Sequence, residues 1–232
     1  MADLLSYAQD DGVAVITMDD GKANALSHEM LDALDEALSR AEKEAKAVVI
    51  AGREGKFCAG FDLKTMMAGP ESVAGLLTKG GAYLMRLYAF PLPVVAACTG
   101  HALAGGALYL LCCDLRLGTE GAFKVGLNEV QIGLPLPLLG RELAKARLSK
   151  RHLQQATLMA RIYAPDEACD AGYLDRVVPA DALLATAKDE AERLSGLSPV
   201  AYAMTKARMR QGTIDAIETG FEEDLTALKG LS

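Results

Sequence analysis

The sequence predicts an α/β fold whose central strands are covered on both faces, followed by a helical appendage, and three observations predict it. The runs Ala47–Ala51 and Val94–Cys98 are continuously apolar, the character of strands buried from both sides rather than half-solvated ones. Segments with apolar residues at helical spacing alternate with these strands, as in Met30, Leu34, Leu38 and Ala41. After Leu197-Ser198-Pro199 the helical pattern continues to about Leu228 with no strand to pair, which reads as two amphipathic helices outside the sheet. The division expected is a core over 1–195 and a C-terminal helical region over 196–232 that offers an oligomer contact.

The first strand pair follows from Asp10-Asp11-Gly12, a turn signal between a short opening strand and the valine and isoleucine alternation of residues 12–18, so a hairpin should open the fold. Gly21 to Leu26 then leads to Ser27, the expected N-cap of a helix whose opposite face carries Asp32, Glu36, Arg40 and Lys43. A polar turn, Gly52 to Gly55, closes the next strand. Residues 72–88 carry Leu76, Leu77, Leu84 and Leu87 at helical spacing, although Gly80-Gly81 argues against one unbroken helix.

Pro91-Leu92-Pro93 blocks helix propagation before the strand Val94–Cys98, which delivers the chain into Gly100-His101-Ala102-Leu103-Ala104-Gly105-Gly106. This stretch reads as a glycine-rich turn running into a helix, Ala107 to Cys112, with no polar face and therefore meant to be buried. Unpaired N–H groups at Gly105 and Gly106, with no Cβ to hinder approach, and the positive end of the helix dipole would stabilise an oxyanion there, or else the glycines simply let the helix pack against a strand. Two strands thus end in glycine-containing turns, and sites in α/β sheets form at such carboxyl ends. Short strands are expected at 115–117 and 123–125, helices at 138–146, 149–159 and 165–171, a strand within 172–178, and a helix capped by Asp181 that reaches Leu194. Glu129 stands out for its apolar surroundings.

The chain of 232 residues, with 51% hydrophobic and 24% charged residues, is long enough to bury a full core without staples. Its formal net charge of −7 and the lack of a basic run interleaved with aromatics argue against nucleic acid as a partner, while leaving room for a local anion pocket. The five cysteines, Cys58, Cys98, Cys112, Cys113 and Cys169, lack C-x-x-C spacing and read as reduced core residues. His28, His101 and His152 lack metal-site spacing, so no metal is implied. Met1 to Ser6 has neither a basic n-region nor a long apolar run, no stretch suits a membrane span, and Lys229-Gly230-Leu231-Ser232 is no peroxisomal or lipidation signal, which leaves the cytoplasm as the default compartment.

The patterns Phe57-x-Ala59-Gly60-x-Asp62-Leu63 and Gly100-x-Ala102-x-x-Gly105-Gly106, followed by Gly126-Leu127-Asn128-Glu129, together resemble the crotonase superfamily of enoyl-CoA hydratases and isomerases over about residues 5–215. The resemblance implies a crotonase-like spiral of (ββα) repeats. It further implies that the backbone N–H groups of Phe61 and Gly105 hold the thioester oxygen of an acyl-CoA as it becomes an enolate oxyanion. Lys22, Ala23 and Ala25, with Ala59, Gly60, Asp62 and Leu63, are similar to the segments that line the CoA moiety; Leu108 would face the acyl group, and Asn128 would also belong to the substrate-binding surface. Lys22 would meet a phosphate or else be simply solvated, and Asp62 would serve the ligand or else cap a turn. Coenzyme A is part of the substrate, so no separate cofactor is implied. The partners implied are an acyl-CoA and further copies of the chain, as a homotrimer or dimer of trimers. Ala104 stands where many relatives have another glycine, and the chain ends at Ser232 ahead of the last helical segment usual in the family, which often helps close the acyl-CoA site and the trimer interface.

Hydratases of this superfamily carry two glutamates. Here the first position holds Leu108 and the second holds Glu129. Hydration needs one group to activate water and another to handle the α-proton, whereas a double-bond shift needs a single base that takes a proton from C2 and returns it to C4. The expected activity is therefore that of a Δ3,Δ2-enoyl-CoA isomerase with Glu129 as proton shuttle. The alternatives are a hydratase or other crotonase reaction resting on Glu129 alone, and an acyl-CoA-binding subunit without turnover.

Overall fold

The computed structural model describes residues 4–229. The expectations for Met1 to Asp3 and for the last three residues lie outside the described residues. The chain opens with the hairpin β1 (Leu5–Asp10) and β2 (Val13–Met18), paired from Leu5↔Met18 to Asp10↔Val13 as the Asp-Gly turn requires. Ser27 caps α1 (His28–Glu44), its hydroxyl accepting from the Met30 amide at 3.2 Å, and Met30, Leu34, Leu38 and Ala41 face the core.

The strand β3 (Ala47–Ala51) follows, then β4 (Gly55–Cys58), the short helix α2 (Leu63–Met66) and α3 (Pro70–Ala89). Next come β5 (Val94–Cys98), β6 (Gly100–Leu103), α4 (Gly105–Cys112), β7 (Leu115–Thr119) and β8 (Val125–Gly126). A 3-10 turn at Val130–Ile132 precedes α5 (Leu138–Arg147), α6 (Leu153–Thr157), α7 (Pro165–Ala171), β9 (Arg176–Val178), α8 (Leu183–Ser195) and α9 (Pro199–Lys229).

Among the described residues the strands form two sheets. The larger runs β1-β2-β3-β5-β7-β9, parallel except for the opening hairpin, and the smaller runs β4-β6-β8, all parallel. The continuous apolar runs are explained by the period of two. Val48, Ile50, Val94 and Ala96 point into the main core with α1, α3 and α4, while Ala47, Val49, Ala51, Val95 and Ala97 pack under Leu183, Ala187 and Ala191 of α8. α4 is buried along its whole length, as its lack of a polar face requires, and the Tyr109 hydroxyl meets that of Tyr83 on α3 at 2.6 Å.

Several expectations are corrected. Gly100 to Leu103 is a strand rather than the start of a turn, because its backbone pairs with β4 on one side and β8 on the other. The helix over residues 70–89 is unbroken through Gly80-Gly81, even though each glycine costs a helix interior about 1 kcal/mol relative to alanine. Both positions receive an aromatic ring against the helix backbone, Phe61 at Gly80 and Phe221 at Gly81. Asp181 is not a cap: the Ala182 amide bonds back to the Pro179 carbonyl at 3.0 Å, so Asp181 falls inside a turn and Ala182 occupies the cap position. The helix expected over 149–159 shrinks to Leu153–Thr157, since residues 149–152 form a turn and Ala160 takes a positive φ of 46°. The strand expected at 123–125 begins only at Val125, and that expected within 172–178 is confined to Arg176–Val178.

The two helices expected after Pro199 are one helix, α9, which packs on α3 and α5. Two of its cations anchor it, with Lys206 Nζ and Arg210 Nη2 each 2.7 Å from the carboxylate of Asp114, which is nearly buried and also accepts from the Val94 amide. Such an ion cluster gives little net stability beyond a well-packed apolar contact, but removing one member leaves an uncompensated charge, so it fixes where α9 can lie.

Candidate active site

The carboxyl ends of the three strands of the small sheet converge. β4 leads into Ala59, Gly60 and Phe61, β6 into Ala104 and Gly105, and β8 into Leu127, Asn128 and Glu129. The Ala104 amide donates to the Gly126 carbonyl at 3.0 Å, extending the β6–β8 ladder one residue past its end. On the other side, a Cβ built on Gly60 would stand 3.1 Å from the Gly105 nitrogen, and one on Gly106 would collide with the Cys58 carbonyl. Glycine at 106 is what lets the start of α4 press against the end of β4. The segments the sequence singled out after Ala51 and Cys98, Phe57 to Leu63 and Gly100 to Gly106, thus leave from the ends of the smaller sheet rather than directly from the larger one.

Phe61 is held by a parallel bridge to Leu26, in which the Leu26 amide donates to the Gly60 carbonyl at 2.8 Å and the Asp62 amide to the Leu26 carbonyl at 3.2 Å. That pairing leaves the Phe61 amide itself outside the ladder. Gly105 opens α4, where the Ala107 and Leu108 amides fold back onto the Ala104 carbonyl. Among the described residues neither the Phe61 nor the Gly105 N–H has a protein acceptor. Two amides on close-packed segments, one at the positive end of a helix, are thus left available to an acceptor from outside the chain. Ala104 takes φ 48° and ψ −124° to make this turn, a conformation that favours glycine.

Glu129 begins the 3-10 turn, its carbonyl accepting from Leu134 at 2.9 Å and Ile132 at 3.1 Å. The residue is 8% exposed and its Oε2 has no hydrogen-bond partner among the described residues. Burial pushes its carboxyl up to about 7, with no facing cation to pull it back. The Oδ1 of neighbouring Asn128 is likewise buried without a partner. Leu108, one turn into α4, is 2% exposed and lines a small apolar cavity of about 30 Å³ with Phe61, Leu77, Leu139 and, from α9, Phe221, Asp224 and Leu225. A buried carboxyl matched to neutral pH and amides available to a negative charge have the chemistry needed to take a proton beside a carbonyl and hold an enolate.

The segment with Lys22, Ala23 and Ala25 lies against the β4 end, with the Ala59 amide bonded to the Ala23 carbonyl at 3.0 Å and Arg53 Nη1 to the Lys22 carbonyl at 2.8 Å. The Lys22 side chain is exposed. Asp62 caps α2, its Oδ2 accepting from the Thr65 amide and hydroxyl at 2.8 Å each, and Leu63 is exposed beside it. Sequence reasoning missed Asn24, which is fully buried at φ 53° and whose Nδ2 donates to the carbonyls of Met18, Lys56 and Phe57 at 3.0–3.2 Å. Asp20 completes this loop by accepting from the Lys22, Asn24 and Ala25 amides. The Asp19-Asp20-Gly21 run was a legible turn signal, but the cross-chain carbonyls that Asn24 serves were not. Also missed was Asp224, which satisfies the α5 N-terminus by accepting from the Leu138 amide at 2.7 Å.

Among the described residues no group of three or more His, Cys, Asp or Glu side chains could hold a metal ion, and no helix is long and apolar enough to cross a membrane. The five cysteines are unpaired, and burial raises each thiol, those of Cys58, Cys98 and Cys113 to about 12, which disfavours the nucleophilic thiolate.

The chain matches the family model described as enoyl-CoA hydratase/isomerase over residues 8–231. It is 31% identical over 219 residues to human mitochondrial enoyl-CoA delta isomerase 1, covering 92% of this chain and 72% of that protein. Its structure is similar, with a TM-score of 0.95 at 38% identity, to that of an enoyl-CoA hydratase/isomerase family protein from Pseudomonas syringae, with 97% and 98% of the two chains covered. A Mycobacterium marinum enoyl-CoA hydratase matches with a TM-score of 0.92 at 36% identity over 97% of this chain and 100% of that one.

Proposed function

Because this chain belongs to the enoyl-CoA hydratase/isomerase family, we propose that it shifts the double bond of a 3-enoyl-CoA to give the 2-trans-enoyl-CoA. The thioester oxygen accepts from the Phe61 and Gly105 amides, which acidifies the C2 protons. Glu129 in its ionised form removes one of them, the electrons spread over a dienolate whose oxygen carries the charge, and the same carboxyl returns the proton to C4. No atom is gained or lost, and Glu129 ends as it began. Each oxyanion donor in a preorganised site contributes about 2.7–4 kcal/mol to the transition state. A carboxyl poised near 7 is basic enough to take the proton and acidic enough to give it back at neutral pH.

The observation that carries this reading is the pairing of a buried Glu129, its Oε2 unpartnered, with an apolar Leu108 on the adjacent helix. Leu108 offers nothing to orient a water, and the carboxylate that lines the cavity beside it, Asp224, has one oxygen engaged by Leu138 and the other by Arg141 at 3.0 Å. Hydration is the second reading, favoured by the hydratase name of the Mycobacterium marinum relative. Supplying the protein with a 3-enoyl-CoA and, separately, a 2-enoyl-CoA in D2O distinguishes the two. Conjugation of the first with no addition to the second supports isomerisation, a 3-hydroxyacyl product supports hydration, and binding without turnover supports an acyl-CoA-binding subunit.

A further inference from the structure

Gly80 and Gly81, which weaken α3 as a helix, have no role in the proton transfer, yet each admits one ring to the same cavity. The Phe61 ring lies against Gly80 and also within 3.2 Å of where a Cβ on Gly105 would stand, so it is clasped between α3 and the start of α4. The Phe221 ring lies against Gly81, where a Cβ would stand 2.8 Å from its Cζ. Both rings and Leu108 line the cavity of about 30 Å³. Leu225, which like Phe221 belongs to α9, lines it as well.

We propose that Phe221, seated on Gly81, is the acyl-chain stop of this site and restricts it to short-chain enoyl thioesters. The proposal rests on the acyl-CoA reading above, since it takes the thioester oxygen to lie at the Phe61 and Gly105 amides. From that point the acyl tail runs along the apolar side chains carried by the same two segments, Phe61 and Leu108, and meets Phe221. α9 is not free to yield there. Asp224, one turn beyond Phe221, is bound by the Leu138 amide at 2.7 Å and by Arg141 at 3.0 Å, and a Cβ on Gly220 would stand 2.7 Å from Leu138 Cδ2. The last turns of α9 are thus held against both α5 and α3, and a long chain would have to break these contacts to enter.

The test compares kcat/KM for 3-hexenoyl-CoA and 3-dodecenoyl-CoA in the full chain, in Phe221→Ala and in Phe221→Leu, which keeps an apolar side chain under α9 should the alanine variant fail to fold. The parent should favour the hexenoyl substrate by about ten-fold or more, and either folded variant should move the dodecenoyl-to-hexenoyl ratio toward the longer chain by about ten-fold. A parent that handles both lengths equally, or a ratio that neither folded variant moves, overturns the stop. Calorimetric binding of butanoyl-CoA and dodecanoyl-CoA separates the two layers of the argument. Length-selective binding relieved in the variants, with no turnover of any enoyl-CoA, sinks the catalytic reading and leaves the stop standing. Turnover without length selection does the reverse, and no binding of either thioester overturns both.

Discussion

The Ala104 amide donates to the Gly126 carbonyl at 3.0 Å, tying the strand end that leads to Gly105 beside the strand end that leads to Glu129. Gly105, the proposed oxyanion donor, and the buried carboxylate of Glu129, 24 residues apart in sequence, are thereby fixed to one ladder. The small parallel sheet sets their spacing.

Ala104 makes this turn at φ 48°, where an L side chain is strained. Ala104→Gly should relieve about 1–3 kcal/mol of strain and lose about 0.4–1 kcal/mol to the freer unfolded chain, for a net gain of about 1 kcal/mol. Urea titration should show the midpoint rise with the slope unchanged. A fall in stability would mean that the Ala104 methyl, close to Gly60, contributes packing that outweighs the strain.

Burial lifts the Glu129 carboxyl to about 7, above its unfolded value, so the folded state prefers the protonated form. Its effect on stability is nil below the unfolded pKa of about 4.3, grows as a penalty while pH rises from there through about 7, and then levels at about 4 kcal/mol. Glu129→Gln cannot ionise, so the stability difference between variant and parent should swing in the variant's favour across this window. Chemical denaturation of both proteins at a series of pH values reads the swing directly. A flat difference from acid to alkaline pH would show that the carboxyl titrates normally.

Leu108→Glu should add hydratase activity, because a side chain one turn into α4 borders the same cavity as Phe61 and would bring a second carboxyl to the site. The substitution buries a charge in an apolar wall, so one of the two carboxyls should stay protonated and the variant should lose about 1–3 kcal/mol of stability. Formation of 3-hydroxyacyl-CoA from a 2-enoyl-CoA is the readout. Efficient hydration by the parent would remove the argument from the single carboxylate, and a folded variant with no gain would show that position 108 does not face the reacting carbons.

Much of this architecture was legible because it follows from local chemistry. The hairpin turn at Asp11-Gly12, the Ser27 cap, the two-sided strands at Ala47 and Val94 and the fully buried α4 each declare themselves within a few residues. What was not legible depends on partners distant in sequence. Gly100 to Leu103 reads as a turn by composition and becomes a strand only because β4 and β8 flank it. Gly80-Gly81 reads as a helix break and is instead a pair of landing points for Phe61 and for Phe221, which arrives from the far end of the chain. Glu129 could be singled out by its apolar neighbours, whereas Asn24 and Asp224 could not, since the carbonyls and amides they satisfy belong to other elements.

The central claim is that Glu129 alone moves the proton while the Phe61 and Gly105 amides hold the charge. Its most direct test is the kcat/KM of parent and Glu129→Gln for a 3-enoyl-CoA across neutral pH, with exchange of the C2 protons into D2O followed in parallel and CoA binding as the control for folding. The account predicts that the parent's kcat/KM rises with pH to a plateau above an apparent pKa of about 7, and that the variant binds CoA yet loses both isomerisation and exchange by at least about a hundred-fold. A folded variant that isomerises at the parent's rate would contradict it.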